Sequence, residues 1–274
     1  MNKKQLLAAI IFSVLSVAAY AQMSVGFISG ASLSKFKVGF VDDKNEPYFS
    51  TSAAVGFHAG VSMNIPFSES IGLHPSIMFS QKGNKLAYVK PNSTFEQQNY
   101  QSNHSVNYIE VPLLLKYNFG GESMGLSLMA GPDLNFALGG KISERGNVEF
   151  YDENTGQPFI GKVNENKDVK IGSKVNSNYR AFDAGLAVGL GAYFNVGETG
   201  QFIIEARWVS GGSNILNANY ISSPTYDKIV VTKDVPTANV TNYNIVNNKE
   251  IVGEIRNRSF QFSVGYMFKF SEKY

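Results

Sequence analysis

Few residues of this sequence could perform catalysis or bind a metal ion. It has no cysteine, no metalloprotease or nucleotide-binding motif, and three histidines, His58, His74 and His104. His58 and His74 fall on the same side of neighbouring predicted strands and could share a metal ion, but no acidic third ligand is in clear register. His104 and Ser105 stand near the end of a predicted strand, without a partner of known geometry. We therefore predict hydrogen-bonded histidines, no enzymatic activity, no metal site and no cofactor.

The charged residues exclude some classes of partner. The formal net charge is +2, so neither nucleic-acid binding nor a polybasic membrane tether is indicated. Two acidic clusters, "DDKNE" (42–46) and "DENTG" (152–156), could bind calcium. Solvated turn residues are the simpler interpretation of both.

The first residues have the three parts of a secretory signal peptide. Lys3 and Lys4 precede an apolar run at 6–17, and Ala19-Tyr20-Ala21 is a small-x-small cleavage site. The apolar run is shorter than the roughly 20 residues that a membrane-spanning helix needs. We therefore predict that residues 1–21 are a signal peptide and that residues 22–274 form one exported domain.

Apolar and polar residues alternate in eight segments of that domain, as in strands with two different faces. The segment "YIEVPLLLKYNF" (108–119) has an unbroken apolar row on one face and Glu110 and Lys116 on the other. The other segments are 24–33, 55–65, 71–79, 124–136, 182–194, 202–208 and 260–270. Seven charged residues fall on the polar face: Glu110, Lys116, Asp133, Asp183, Glu205, Arg207 and Lys269.

Residue size and loop length decide which face is inside. The polar face is rich in Gly, Ala and Ser, which suits the tight interior of a small barrel better than a surface in water. Long connections (37–52, 83–104, 139–178 and 211–257) alternate with three short ones, as in outer-membrane barrels. The sequence therefore predicts an all-β, eight-stranded antiparallel up-and-down transmembrane β-barrel with long extracellular loops. Patterned stretches in two loops, "GNVEFYDENTGQPFIGKV" and "YDKIVVTKDVPTANV" with "NKEIVGEIRNRSF", predict hairpin extensions.

The prediction has consequences for the interior and the rim. An eight-stranded barrel is just wide enough for its own side chains, so the seven charged residues should form mutual salt bridges that fill it. A narrow channel is the alternative. Aromatic residues near strand ends should form interfacial girdles, namely Tyr108, Tyr117, Phe119, Phe194, Trp208 and Phe268.

Several motifs resemble the PorT-like outer-membrane β-barrel family. They are "YIEVPLLLKYNF" with "AGPDLNFALGG", "GLHPSIMFSQKG", "AGLAVGLGAYF" and "QFIIEARWVSGGSNI". The resemblance implies an eight-stranded barrel in outer-membrane lipid, inserted by the barrel-assembly machinery. It does not imply a settled activity, although the namesake of the family takes part in the export of proteins to the cell surface. We predict a structural or interaction role, with a secretion-system or cell-surface protein as the expected partner. The chain ends on Tyr274 rather than on the terminal phenylalanine that is usual for barrel insertion.

Overall fold

Nine antiparallel strands form the described part of the chain. A computed structural model describes residues 23–40, 49–88, 100–151, 158–172, 177, 179–215 and 252–270. The predicted signal peptide and both acidic clusters lie outside these residues, as does the chain end from 271 onwards. The strands are β1 (Ser24–Phe40), β2 (Phe49–Pro66), β3 (Ile71–Tyr88), β4 (Tyr100–Gly120), β5 (Met124–Tyr151), β6 (Pro158–Asp168), β7 (Phe182–Val196), β8 (Gly200–Gly211) and β9 (Val252–Lys269).

Eight of these strands close into a ring, which confirms the predicted fold class. Each pairs with its neighbours in the order β1-β2-β3-β4-β5-β7-β8-β9, and β9 pairs back onto β1. The closing register runs from Ser24 opposite Lys269 to Phe40 opposite Val252. Closure gives every strand of the ring two hydrogen-bonded neighbours, which a sheet in hydrocarbon requires.

The apolar row of each strand faces outward and the polar row faces inward, as the sequence predicts. Outward apolar side chains are well exposed, among them Phe27 (67 %), Val55 (72 %) and Leu190 (61 %). The intervening polar side chains are buried inside the ring. The exposed apolar row faces lipid, because the opposite, polar row of each strand points into the ring. No helix in the described residues is long and apolar enough to cross a membrane.

Short and long connections alternate as predicted. The three short turns are 67–70, 121–123 and 197–199, and Gly197 has a left-handed φ of 63° in the last of them. Both ends of the described chain lie on this side of the barrel, opposite the long connections. Short turns are periplasmic in outer-membrane barrels, so the long connections lie outside the cell.

The strands continue beyond the membrane at the long-loop end. β5 has 28 residues, against the 9–11 that cross a bilayer, and its outer part pairs with β6 from Lys141–Asp168 to Tyr151–Pro158. This confirms the first predicted hairpin. "YDKIVVTKDVPTANV" (226–240) lies outside the described residues. From Val252 onwards, "NKEIVGEIRNRSF" is the outer part of β9, which pairs with β1.

One aromatic residue was assigned to the wrong place. Tyr108 was expected in a girdle, but its side chain is only 1 % exposed and points into the barrel. The register between β4 and β5 shifts between Asn107 and Tyr108, where the wall leaves the apolar band. Tyr117, Phe119, Phe194, Trp208 and Phe268 all have exposed side chains on the outer face.

Candidate functional site: the filled interior and its outer mouth

A lysine joins two carboxylates near the centre of the barrel. Lys82 Nζ lies 3.1 Å from Glu110 Oε2 and 3.7 Å from Asp133 Oδ2, and it donates to Asn135 Oδ1 at 2.7 Å. Gln261, from the opposite wall, donates Nε2 to both Glu110 oxygens at 2.9 and 3.1 Å. All five side chains are buried. We name this set the Lys82 cluster; it ties strands β3, β4, β5 and β9 together across the lumen.

A second ionic group surrounds Glu205. Its Oε1 lies 3.2 Å from His74 Nε2 and 3.8 Å from Lys116 Nζ. The same His74 nitrogen is 3.0 Å from Ser62 Oγ, which is itself 2.8 Å from Ser76 Oγ. Because β8 faces β2, β3 and β4 here, these contacts also bridge the lumen.

Arg207 lies between the two groups. Its side chain is 1 % exposed, Nη2 contacts Met78 Sδ at 3.5 Å, and its positive charge acts on both Glu110 and Glu205. A buried guanidinium needs such compensation because its transfer from water is costly. Arg207 therefore couples the Lys82 cluster to the Glu205 group.

The two interior histidines do not form a shared metal site. His58 Nε2 is 2.7 Å from Ser263 Oγ, and His58 pairs with Ser80 in the β2–β3 register. His74 lies six residues from Ser80 along β3, about 20 Å away at the usual strand rise. Among the described residues no group of three or more His, Cys, Asp or Glu could hold a metal ion.

The remaining predicted interior charges lie towards the two ends. Asp183 accepts from Asn257 Nδ2 at 3.2 Å and from the Ser213 backbone N–H at 3.3 Å, close to the outer mouth. Lys269 is only partly buried and lies at the periplasmic rim, opposite Ser24. Six of the seven predicted residues are thus buried in the barrel, and five of them interact with one another through the Lys82 cluster and the Glu205 group.

Chain segments cover the outer mouth. We call residues 169–171, 179–181 and 212–215 the cap segments. They hydrogen-bond to the wall through Val169 N–H to Gly140 O and Ile215 N–H to Ile255 O, and Arg180 N–H to Ile215 O joins two of them to each other. Their apolar side chains pack with buried residues of the wall. This apolar cluster consists of Phe36, Val106, Tyr108, Ile142, Val169, Tyr179, Ile215 and Ile255.

His104 holds a cap segment to the wall. Its Nδ1 is 2.6 Å from Tyr179 Oη and its Nε2 is 2.9 Å from Ser102 Oγ. It lies beyond the apolar outer row of β4, which starts at Ile109. Burial lowers the pKa of His104 to about 4, against a weaker opposing effect of Glu144. A catalytic triad needs a carboxylate at Nδ1, where Tyr179 lies instead, and the neighbouring hydroxyl belongs to the buried Ser102 rather than to Ser105.

Sequence reasoning missed Lys82 and the cap. Lys82 continues the inward phase of His74, Ser76 and Ser80, so extending that alternation by two residues would have found it. It was missed because the predicted strand ended at Phe79, whereas β3 continues to Tyr88. The cap segments have no comparable alternation of apolar and polar residues, since their apolar residues are scattered through two long connections.

The closed wall, lipid-facing apolar rows and filled interior define a small outer-membrane β-barrel protein. The chain belongs to the family described as outer membrane protein beta-barrel domain, whose model matches residues 20–217. Its location is the outer membrane.

The chain is similar, at low sequence identity and low TM-score, to several solved structures of outer-membrane proteins. Neisserial surface protein A is 14 % identical with a TM-score of 0.39, covering 90 % of this chain and 97 % of that one. OprG from Pseudomonas aeruginosa is 10 % identical with a TM-score of 0.41, covering 91 % and 96 %. Ail of Yersinia pestis is 13 % identical with a TM-score of 0.33, covering 91 % and 99 %. No curated protein matches the chain.

Proposed function

We propose that this protein is a plugged barrel that acts through its extracellular surface, as a structural or interaction component of the outer membrane. The observation that carries the proposal is the filled lumen. Arg207, Tyr108 and Lys82 are among the largest fully buried side chains, and they lie in the path that a solute would follow. Above them the cap segments pack against the wall. Long outer strands then offer the surface on which recognition most often occurs.

Conductance in planar bilayers tests the plug. We expect the mature protein to give no steady unitary current, because crossing the lumen would require breaking the Lys82 cluster and displacing the cap. A reproducible current would instead favour the narrow channel. Leu114→Trp and Leu115→Trp form a matched pair to locate it, since Leu114 is fully buried inside and Leu115 is 54 % exposed outside. A current altered by the first variant alone passes through the lumen and refutes the plug.

A narrower role in protein export is suggested by the resemblance to PorT-like barrels. Its partner would be a secretion-system or cell-surface protein that contacts the outer strands, while the barrel-assembly machinery would act only during insertion. Deletion of the gene, with comparison of the proteins delivered to the surface and medium, tests this role. We expect a defined set of exported proteins to be lost and to return with the intact gene. An unchanged set would remove the export role and leave the plugged-barrel proposal standing.

A further inference from the structure

The ladder of backbone hydrogen bonds between β2 and β3 is interrupted near the outer end of the barrel. Pairing along β2 stops at Ala53 and resumes at His58. Residues 54–57 of β2 therefore face residues 81–83 of β3 without a regular ladder. Four residues against three form a β-bulge, which disrupts the local pairing of two strands. We call these two facing stretches the β2–β3 seam.

The β2–β3 seam lies at the outer edge of the apolar band. Val55 pairs with Leu33 of β1, and both side chains are exposed on the outer face, at 72 % and 51 %. The next outward residue of β1 is the exposed Lys35, as expected at the level of the headgroups. The rings of Phe57 and Phe79 approach each other across the two strands, with their centroids 5.5 Å apart. Lipid therefore covers the outside of the seam.

Two serines of β1 bond to β3 where the ladder is interrupted. Ser32 Oγ donates to Gln81 O at 3.0 Å. Gly83 N–H donates to Ser34 Oγ at 2.7 Å. Gly56 of β2 permits this approach, since a Cβ there would lie 2.0 Å from Gln81 O and 2.9 Å from Ser32 Oγ. At the seam, β3 is thus tied to the wall through two side-chain hydroxyls instead of a continuous backbone ladder.

The apolar cluster of the outer mouth lies directly behind the seam. Phe36 is the next inward residue after Ser34 on β1. Val106 lies opposite Lys82 of the seam in the β3–β4 register. Phe36 and Val106 are both buried members of the apolar cluster. The seam therefore separates lipid on its outer side from an apolar interior on its inner side.

We propose that the β2–β3 seam is a side opening, which Ser32 and Ser34 hold shut and through which an apolar chain from the outer leaflet reaches the apolar cluster. Parting the strands here breaks two side-chain hydrogen bonds, whereas a regular pair of strands would lose a run of backbone bonds. Both ends of the route are apolar, so a chain of methylene groups crosses it without the desolvation that an ion or a sugar would suffer. The route stops at the apolar cluster and leaves the Lys82 cluster intact, so it is compatible with a plugged lumen.

Labelling of a thiol behind the seam tests the opening, because the chain has no cysteine of its own. Val106→Cys places one thiol in the apolar cluster, and N-dodecylmaleimide, which partitions into lipid vesicles, is the reagent. Ser32→Ala with Ser34→Ala should raise the labelling rate about 30-fold, since two ordinary hydrogen bonds hold the wall closed. Ser259→Ala is the matched control and should change the rate less than about twofold. Ser259 is buried opposite Ser34 on β9, and its hydroxyl has no hydrogen-bond partner among the described residues.

Two results of the labelling would overturn the proposal. Equal rates for the parent and the double variant would show that the two hydroxyls hold nothing shut, as would an equal gain with Ser259→Ala. A charged, water-soluble maleimide that labels Val106→Cys as fast as N-dodecylmaleimide would show entry through the mouth instead of the seam. If the double variant does not fold, Ser34→Ala alone should still give about a fivefold gain.

Hydrogen exchange provides a second test on the parent protein in lipid vesicles. The Gly83 amide bonds to a serine hydroxyl, whereas Ser105, its partner on β4 at a similar depth, pairs with both β3 and β5. The Gly83 amide should exchange at least about tenfold faster than the Ser105 amide, because local opening of the seam exposes it. Equal exchange at the two positions would mean that the seam does not open, and the proposal would fall.

Discussion

Removal of Lys82 is the sharpest test of how the interior is held together. Lys82 and Glu110 are 1 % and 0 % exposed, and the lysine also lies within 3.7 Å of the Asp133 carboxylate. Methionine has a similar length and no charge, so Lys82→Met leaves two buried carboxylates without their shared cation. Breaking a buried ion pair by removing one partner typically costs about 3–5 kcal/mol. We expect the free energy of unfolding to fall by that amount.

Urea unfolding in lipid vesicles measures the effect, with the emission of the single tryptophan, Trp208, as the signal. Trp208 is 46 % exposed on the outer face, so its environment changes when the barrel leaves the bilayer. Lys85→Met is the control, because Lys85 faces outward on the same strand and should cost less than about 0.5 kcal/mol. Adding Glu110→Gln to Lys82→Met should recover at least about 1 kcal/mol, since Gln261 can still bond a neutral amide. Equal stability of Lys82→Met and Lys85→Met would refute the role of the cluster.

Three further substitutions probe the wall and the cap. Leu113→Arg, on the lipid face, should cost about 2–4 kcal/mol in the same unfolding assay, and an unaffected barrel would contradict the face assignment. Gly131→Ala should cost about 1–3 kcal/mol because its Cβ would overlap the Leu113 carbonyl across the strands, whereas Ala130→Val on the outer face should be nearly neutral. The pKa of His104 is lowered to about 4 in the folded protein. Below pH 6.5 the ring is therefore protonated in the unfolded chain but still neutral in the folded chain. Protonation thus favours unfolding, and the stability falls as the pH decreases to about 4. Between pH 7.5 and 5 the free energy of unfolding of the parent should fall by about 1 kcal/mol more than that of His104→Gln. A fully buried ring with this pKa would give roughly 2 kcal/mol, but the His104 side chain is only partly buried. Equal losses in the two proteins would exclude His104 as the source of the pH dependence.

The wall was predictable because its signal is local. Each strand has one face towards lipid and the other towards a packed interior, so its alternate residues reflect these two environments directly. Glu110 and Lys116 could therefore be assigned to the interior from the alternation alone. Loop lengths added an independent signal, since short and long connections alternate only if all the short turns lie at one end. The first outer hairpin was visible for the same reason, as two β-like runs around 154–156.

Partner choice inside the barrel was not predictable, because it depends on closure. Glu110 on β4 meets Gln261 on β9, and Glu205 on β8 meets His74 on β3; no spacing in the sequence encodes these distances across the lumen. Tyr108 was misassigned because it was placed by its nearness to the end of the predicted strand, whereas it shares the inward phase of Glu110 and β4 continues outward to Tyr100.

The long pairing between β1 and β9 also bears on lateral exit. Some outer-membrane transport routes would require the wall to part so that a molecule could leave sideways into the bilayer. Here the first and last strands pair from Ser24 to Phe40, well beyond the apolar band, whereas β1 and β2 pair only as far as Ser34 and Ala54. Opening the junction between the chain ends would break this whole ladder, and the bonds within the apolar band lie in a medium without water to replace them. The junction between the chain ends is therefore a poor gate, and an apolar molecule held inside would have no easy way out through it.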